Sequence, residues 1–147
     1  FLRYWNKPEE TADKWRNGWL RTGDLGRREA GGVITYISRD DDVITSSGYR
    51  IGPSEIETCL TGHPDVVMCA VVGLPDPRRG EAVTAFVVAP DRGPDLENEL
   101  ISRVSAQISP HMTPRSVQFV DNLPMTATGK ILRRALRESE NESDVRK

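Results

Sequence analysis

The sequence predicts an α+β chain, a small antiparallel three-stranded sheet with flanking helices, preceded by a β-hairpin. Three observations lead there. After residue 42 the elements read ββαββαβα, an order in which strands and helices segregate rather than form repeated parallel units. Two later stretches, Val66–Gly73 and Glu81–Val88, are apolar runs of strand length. Between the hairpin and this set stands a charged break, Ser38-Arg39-Asp40-Asp41-Asp42.

Taken in order, residues 1–18 are polar, with Trp5, Trp15 and Trp19 close together. Pro8-Glu9-Glu10-Thr11 starts a short helix, proline being tolerated in a first turn whose N–H groups have no helical partner. Gly18–Asp24 reads as a strand closing in a tight turn. Gly31-Gly32 marks a hairpin between Leu25–Arg28 and Val33–Ile37. Three successive carboxylates form a solvated loop, so 38–42 is the expected domain boundary. Val43–Thr45 and Tyr49–Ile51 flank Ser46-Ser47-Gly48 as short strands. A helix opens at Pro53, with Ser54 as its cap and Ile56, Cys59 and Leu60 on one face, and it stops at His63-Pro64. Leu74–Gly80 is a long turn between the two apolar strands. Leu96, Leu100, Ile101 and Val104 fall at helical spacing within Leu96–Ile108, Val117–Val120 is a strand, and Ile131–Leu136 is a short basic helix. The tail, Glu138–Lys147, reads as polar and frayed.

Composition narrows the function classes. The 147 residues are 37% hydrophobic and 29% charged, globular values, and 20 basic against 22 acidic residues leave a net charge of −2. That balance argues against a nucleic-acid module driven by phosphate neutralisation. Nothing approaches the roughly 18–20 apolar residues of a membrane span. Cys59 and Cys69 share no zinc-ligand spacing with the two histidines, so no metal site is expected. They read as buried reduced thiols, which favours a reducing, cytoplasmic compartment. The opening Phe1-Leu2-Arg3-Tyr4-Trp5 reads like the middle of a longer protein.

Four stretches have the residue types for chemistry. Pro124-Met125-Thr126-Ala127-Thr128-Gly129-Lys130 follows a strand and precedes a helix, a mobile loop that ends by presenting one lysine. It is not a P-loop, because Met125 stands where glycine and Ile131 where Ser or Thr would be needed. A cation delivered to developing phosphate charge stabilises a transition state. Ser46-Ser47-Gly48-Tyr49-Arg50 makes a tight reversal with free N–H groups beside a fixed cation, which suits a phosphate or pantetheine group as well as a plain turn. Arg21-Thr22-Gly23-Asp24 places a carboxylate at a strand end, where it can accept ribose hydroxyls or cap a turn. Arg39 adjoins Asp40-Asp41-Asp42. Arg78-Arg79 reads as a solvated turn, and His63 and His111 receive no catalytic role. No Ser/His/Asp arrangement, HExxH or GxGxxG is present.

In this order and spacing the four stretches resemble one family, the adenylate-forming AMP-binding enzymes, and among them the acyl-CoA synthetases. GWLRTGDLG at Gly18–Gly26 resembles the family's ribose motif, and SRDDDVITSSGYRIGPSEIE at Ser38–Glu57 its hinge and following loop. VVGLPDPRRGEAVTAFVV at Val71–Val88 resembles its central strand pair, and LPMTATGKILRR at Leu123–Arg134 its terminal lysine motif. The likeness runs from Tyr4 to Arg137. It departs at Ser38, where the family usually has glycine, and at Met125, where many relatives have lysine.

The resemblance implies that residues 1–37 are the last segment of a large N-terminal adenylating domain, 38–42 a hinge, and 43–147 a mobile C-terminal domain. It implies ATP-dependent activation of a carboxylic acid to an acyl-adenylate, then transfer to CoA. Lys130 would be the catalytic cation. Asp24, Arg39 and Arg50 would bind ATP or AMP, Asp41 would be the hinge residue, and Ser47, Gly48 and Arg50 would line the CoA side. Mg2+ would be held mainly through the N-terminal domain and the nucleotide. The chain alone is expected to be inactive, its partners being the acid, ATP, CoA, its own N-terminal domain and a protein acetyltransferase acting on Lys130. Nucleic acid and a membrane span are not expected. Two alternatives stand beside this: a peptide-synthetase-type adenylation domain that loads a carrier protein, and a non-catalytic module that binds nucleotide or a partner.

Overall fold

Tight turns with left-handed residues shape the beginning of the chain. The computed structural model describes residues 1–144. Pro8 opens α1 (Pro8–Asp13) at its first turn, as expected. Asn17 and Gly18 both take positive φ, 51° and 81°, the pair a type I′ turn requires, and fold β1 (Trp15–Arg16) onto β2 (Trp19–Leu20). This replaces the single strand expected over Gly18–Asp24. Gly32, at φ 83°, closes the second hairpin, β3 (Asp24–Arg28) on β4 (Ile34–Arg39). The ladder shifts register between Leu25 and Gly26, yet pairing continues to Ser38 and Arg39. The break expected over 38–42 therefore begins as strand, and only Asp40–Asp42 leaves it, as one 3-10 turn. Trp5 and Trp19 are largely exposed.

The chain forms two compact units, Phe1–Asp41 and the residues from Asp42 onward. The second unit follows the expected order. β5 (Ile44–Ser46) and β6 (Tyr49–Ile51) form a hairpin, then come α2 (Pro53–Thr61), β7 (Met68–Asp76), β8 (Gly80–Val88), α3 (Pro94–Gln107), β9 (Ser116–Phe119) and α4 (Arg133–Asp144). The class is α+β, but the sheet has five strands rather than three. Antiparallel pairing gives the order β6-β5-β8-β7, and β9 lies parallel to β8. The parallel pair follows from α3, because a helical crossover returns the chain in the same direction where a tight turn would reverse it. β7 and β8 pair from Met68↔Val88 to Asp76↔Gly80, so the long turn expected over Leu74–Gly80 shrinks to Pro77-Arg78-Arg79. The Asp76 carboxylate closes it by accepting the N–H groups of Arg78 and Arg79, each at 2.8 Å.

Side chains on β7 and β8 alternate between two cores, so both faces of the sheet are covered. One core gathers Val71, Val83, Ala85 and Val87 with Ile56 and Leu60 of α2 and Leu100 and Val104 of α3. The other gathers Ala70, Val72 and Phe86 with Leu123 and with Leu136 of α4. Two details correct the sequence reading. Ser54 does not cap α2: Pro53 takes the first helical position, Gly52 becomes the cap, and Ser54 is already helical, its carbonyl accepting the Thr58 hydroxyl. The tail expected to fray from Glu138 is helical through Asp144, with nothing in Ala135–Asp144 that breaks a helix and an Arg134–Glu138 ion pair of 2.6 Å one turn apart. Its last three residues lie outside the described ones. Among the described residues no helix is long and apolar enough to cross a membrane.

Candidate functional site

Asp24, Arg39 and Asp41 come together in the first unit. Register across β3 and β4 sets Asp24 opposite Arg39. The Arg39 guanidinium donates through Nη1 to Asp24 Oδ1 and to the Thr22 carbonyl, both at 3.0 Å, and through Nε to Asp41 Oδ1 at 3.3 Å. It lies directly over Gly23. A Cβ there would stand 2.9 Å from Arg39 Nη2, and Gly23 also has φ 82°, so glycine is required twice over. The Asp40 N–H donates to the Gly23 carbonyl at 2.8 Å and fixes the turn against the strand end. The hydrogen bond with Asp24, then the charge of Asp41, raises the Arg39 pKa above its ordinary value. Ser38 is buried and its hydroxyl has no hydrogen-bond partner among the described residues.

Ser47, Gly48 and Arg50 share the β5–β6 hairpin of the second unit. Ser47 and Gly48 take φ 51° and 83°, again a type I′ pair. The turn is braced by the one between β7 and β8: the Ser47 N–H donates to the Arg79 carbonyl at 2.8 Å, and Arg79 Nη1 donates to Ser47 Oγ at 3.3 Å. Arg79, read from sequence as merely solvated, is thus part of this surface. Arg50 is exposed on β6, paired in register with Thr45. Tyr49 stacks on His111, ring centroids 4.3 Å apart. No signal in the sequence joined these two, which lie 62 positions apart.

Lys130 sits on a separate loop. The mobile segment expected there is tied: Met125 and Ile131 form a β-bridge, the Thr126 N–H donates to the Lys130 carbonyl at 2.8 Å, and the Leu132 N–H donates to the Pro124 carbonyl at 2.8 Å. The Thr126 hydroxyl accepts the Lys130 N–H at 3.1 Å and lies 3.0 Å from the Thr128 hydroxyl. Gly129, at φ 79°, makes the reversal. Lys130 is exposed, and its ammonium has no ion-pair partner among the described residues.

An ion network behind that loop went unread in the sequence. Arg133, at the start of α4, donates through Nη2 to both oxygens of Glu57 at 2.8 Å and through Nη1 to Asp42 Oδ2 at 3.1 Å. Arg137 Nη2 stands 3.5 Å from Asp42 Oδ1. Glu57 Oε1 also accepts the Val71 N–H at 2.9 Å. The Arg133, Asp42 and Glu57 side chains are only 20%, 17% and 16% exposed. A signal was available: Glu57 adjoins Ile56 on α2, close to the face that packs on the sheet.

Among the described residues no group of three or more His, Cys, Asp or Glu side chains could hold a metal ion. A cavity of about 520 Å3 lies in the first unit, lined by Tyr4, Trp5, Thr11 and Trp15 among others. None of the residues expected to carry chemistry lines it. Asp24, Ser47, Gly48, Arg50 and Lys130 are instead exposed, and Arg39 is half-buried.

Known proteins resemble the chain over nearly its whole length. Residues 55–130 match the family described as AMP-binding enzyme C-terminal domain. Human mitochondrial acyl-coenzyme A synthetase ACSM1 is 44% identical over 145 residues, covering 95% of this chain and 25% of that protein. A long-chain-fatty-acid–CoA ligase of Bacillus subtilis is 43% identical over 140 residues, with the same coverage of 95% and 25%. The crystal structure of ATP-bound MatB from Rhodopseudomonas palustris superposes with a TM-score of 0.83 at 34% identity, over 95% of this chain and 28% of that one. The chain thus spans about a quarter of the length of the curated relatives it matches. With the family match running from α2 to the Lys130 loop, the chain belongs to the AMP-binding enzyme C-terminal domain family.

Proposed function

We propose that this chain supplies the mobile part of an AMP-forming acid–CoA ligase, with 38–42 as the hinge between the end of a larger adenylating domain and the domain that moves. The observation that carries the reading is that one small unit has two unlike presentations: Lys130 on a tied loop, without an ion-pair partner among the described residues, and the Ser47-Gly48 turn braced by Arg79 beside Arg50. A two-step reaction uses one in each step, and a domain that rotates delivers them in turn.

In the first step a carboxylate oxygen of the acid attacks the α-phosphorus of ATP. The bond to the pyrophosphate oxygen breaks, leaving acyl-AMP and pyrophosphate. Lys130 neutralises the charge that builds on the phosphoryl oxygens, while Asp24 accepts the ribose hydroxyls and Arg39 holds phosphate; such catalysis is positioning and charge stabilisation. In the second step the CoA sulfur attacks the acyl carbon, the carbon–oxygen bond to AMP breaks, and the thiol proton leaves to solvent. Ser47, Gly48 and Arg50 guide CoA in that pose, Arg50 also facing AMP. Mg2+ would be held through the nucleotide and the N-terminal domain, where it would supply charge neutralisation at phosphate; among the described residues no cluster of three or more His, Cys, Asp or Glu side chains could hold it. We read the compartment as cytoplasmic, on the two free cysteines. Lys130 is open to a protein acetyltransferase, and acetylation would remove the charge the first step needs.

The test is AMP formation by the full-length protein from ATP and CoA across a panel of carboxylic acids, wild type beside Lys130→Ala. One acid class should drive AMP release, and the variant should lose roughly 10²–10³-fold of it, the scale of one lost transition-state contact. A variant as fast as wild type overturns the role of Lys130. AMP release that needs a carrier protein rather than CoA overturns the acceptor.

A further inference from the structure

We propose that Arg133 is a positioning residue for Lys130, gripping Asp42 at the hinge side of the second unit and Glu57 on α2, so that rotation at the hinge is transmitted to the lysine loop. The inference rests on the ligase reading above and adds to it a residue with no expected role.

The geometry supports it along one continuous path. Asp42 is the first residue of the second unit and directly follows Asp41, the proposed hinge residue. Its carboxylate is held by Arg133 at 3.1 Å and Arg137 at 3.5 Å, both from α4. Arg133 is also bidentate to Glu57, at 2.8 Å to each oxygen, and Glu57 is fixed in turn by the Val71 N–H of β7. One planar guanidinium thus joins the hinge side, a helix and the edge of the sheet, a bridge that a single ammonium group has no geometry to reproduce. Three residues before Arg133 stands Lys130, and the stem between them is held by the Met125–Ile131 bridge and the Leu132–Pro124 hydrogen bond. Beyond Arg133, α4 is held by Leu136 packed in the second core and by the longer Arg137–Asp42 contact. Without Arg133, the stem of the Lys130 loop loses its direct grip on Asp42 and Glu57, and only the longer Arg137–Asp42 contact, one turn further along α4, remains. A catalytic group misplaced by about 1 Å loses on the order of 10²-fold in rate.

The full-length protein with an acid it accepts gives the test, in two half-reactions: adenylate formation from ATP and acid, and thioester formation from preformed acyl-adenylate and CoA. In Arg133→Ala, adenylate formation should fall about 10–100-fold at unchanged KM for ATP, while thioester formation stays within about twofold. Millimolar guanidinium, filling the vacated site, should restore part of the first and leave the second alone. Asp42→Asn and Glu57→Gln should move the same way by less. Adenylate formation that stays within about twofold of wild type in Arg133→Ala overturns the proposal. So does an equal fall of both half-reactions without guanidinium rescue, which is general loosening of the fold. If Arg133→Ala does not fold, the two milder variants decide, and normal adenylate formation in both overturns the proposal. Lys130→Ala runs alongside: if it too forms adenylate normally, the reading of Lys130 has failed, whereas a dead Lys130→Ala beside a normal Arg133→Ala sinks only the inference about Arg133.

Discussion

Cys69 shows how much one buried atom depends on its neighbours. It is 3% exposed on β7, and its thiol points at the Glu57 carbonyl, 3.5 Å away. Burial pushes its pKa up from the ordinary value near 9 to about 12; the Glu57 charge adds to the rise and Arg133 opposes it. The folded chain thus keeps the thiol proton at a pH where the unfolded chain has lost it. The stabilisation is complete below about pH 9 and is lost as pH rises towards 12, at up to about 1.4 kcal/mol per pH unit. Denaturation midpoints of wild type should therefore fall faster between pH 9 and 11 than those of Cys69→Ala, and parallel curves would contradict the burial argument. The sequence allowed the inert reading of Cys69, because an apolar run on a strand buries it. It did not hold the proximity of Glu57 and Arg133, which depends on two helices meeting at one strand.

At the level of elements, legibility followed periodicity. The order ββαββαβα was readable because α2 and α3 repeat apolar residues at helical spacing and β7 and β8 are continuous apolar runs. Leu100 and Val104 are fully buried, as the spacing implied. Leu100→Ala should therefore cost about 2–5 kcal/mol in denaturant unfolding, the range for a buried leucine truncated in a closed core, whereas a cost under about 1 kcal/mol would mean that α3 packs loosely. What periodicity could not supply was pairing. The parallel β8–β9 ladder depends on where α3 returns the chain, and the three-residue turn after β7 depends on the Asp76 carboxylate holding two N–H groups. Asn-Gly is itself a strong local signal for a two-residue hairpin turn, and Asn17-Gly18 makes one between β1 and β2. Among the candidate residues, the contacts made by neighbours in sequence or across a hairpin, such as those of Ser47 with Gly48, were within reach. Those across 32 to 91 positions, Arg79 with Ser47 and Arg133 with Asp42, were not.

At the scale of the whole molecule, the residues proposed to carry chemistry divide between the two units, and the proposed mechanism asks for one thing more. Asp24 and Arg39 belong to the first unit, and Lys130 and the Ser47-Gly48 turn to the second. Arg39 is half-buried and the others are exposed, and none of them lines the 520 Å3 cavity in the first unit. Electrostatic stabilisation of a phosphoryl-centred transition state is strong only where water is excluded and the substrate is already held. An exposed lysine facing bulk solvent supplies neither condition. The chain of residues 1–147 by itself should therefore fold, giving a cooperative thermal transition by circular dichroism, yet form no acid-dependent AMP from ATP and CoA. The full-length protein should do so under the same conditions. AMP formation by the short chain, lost on Lys130→Ala, would mean that these two units enclose a nucleotide unaided, and the division of labour proposed for the ligase would have to be redrawn around them.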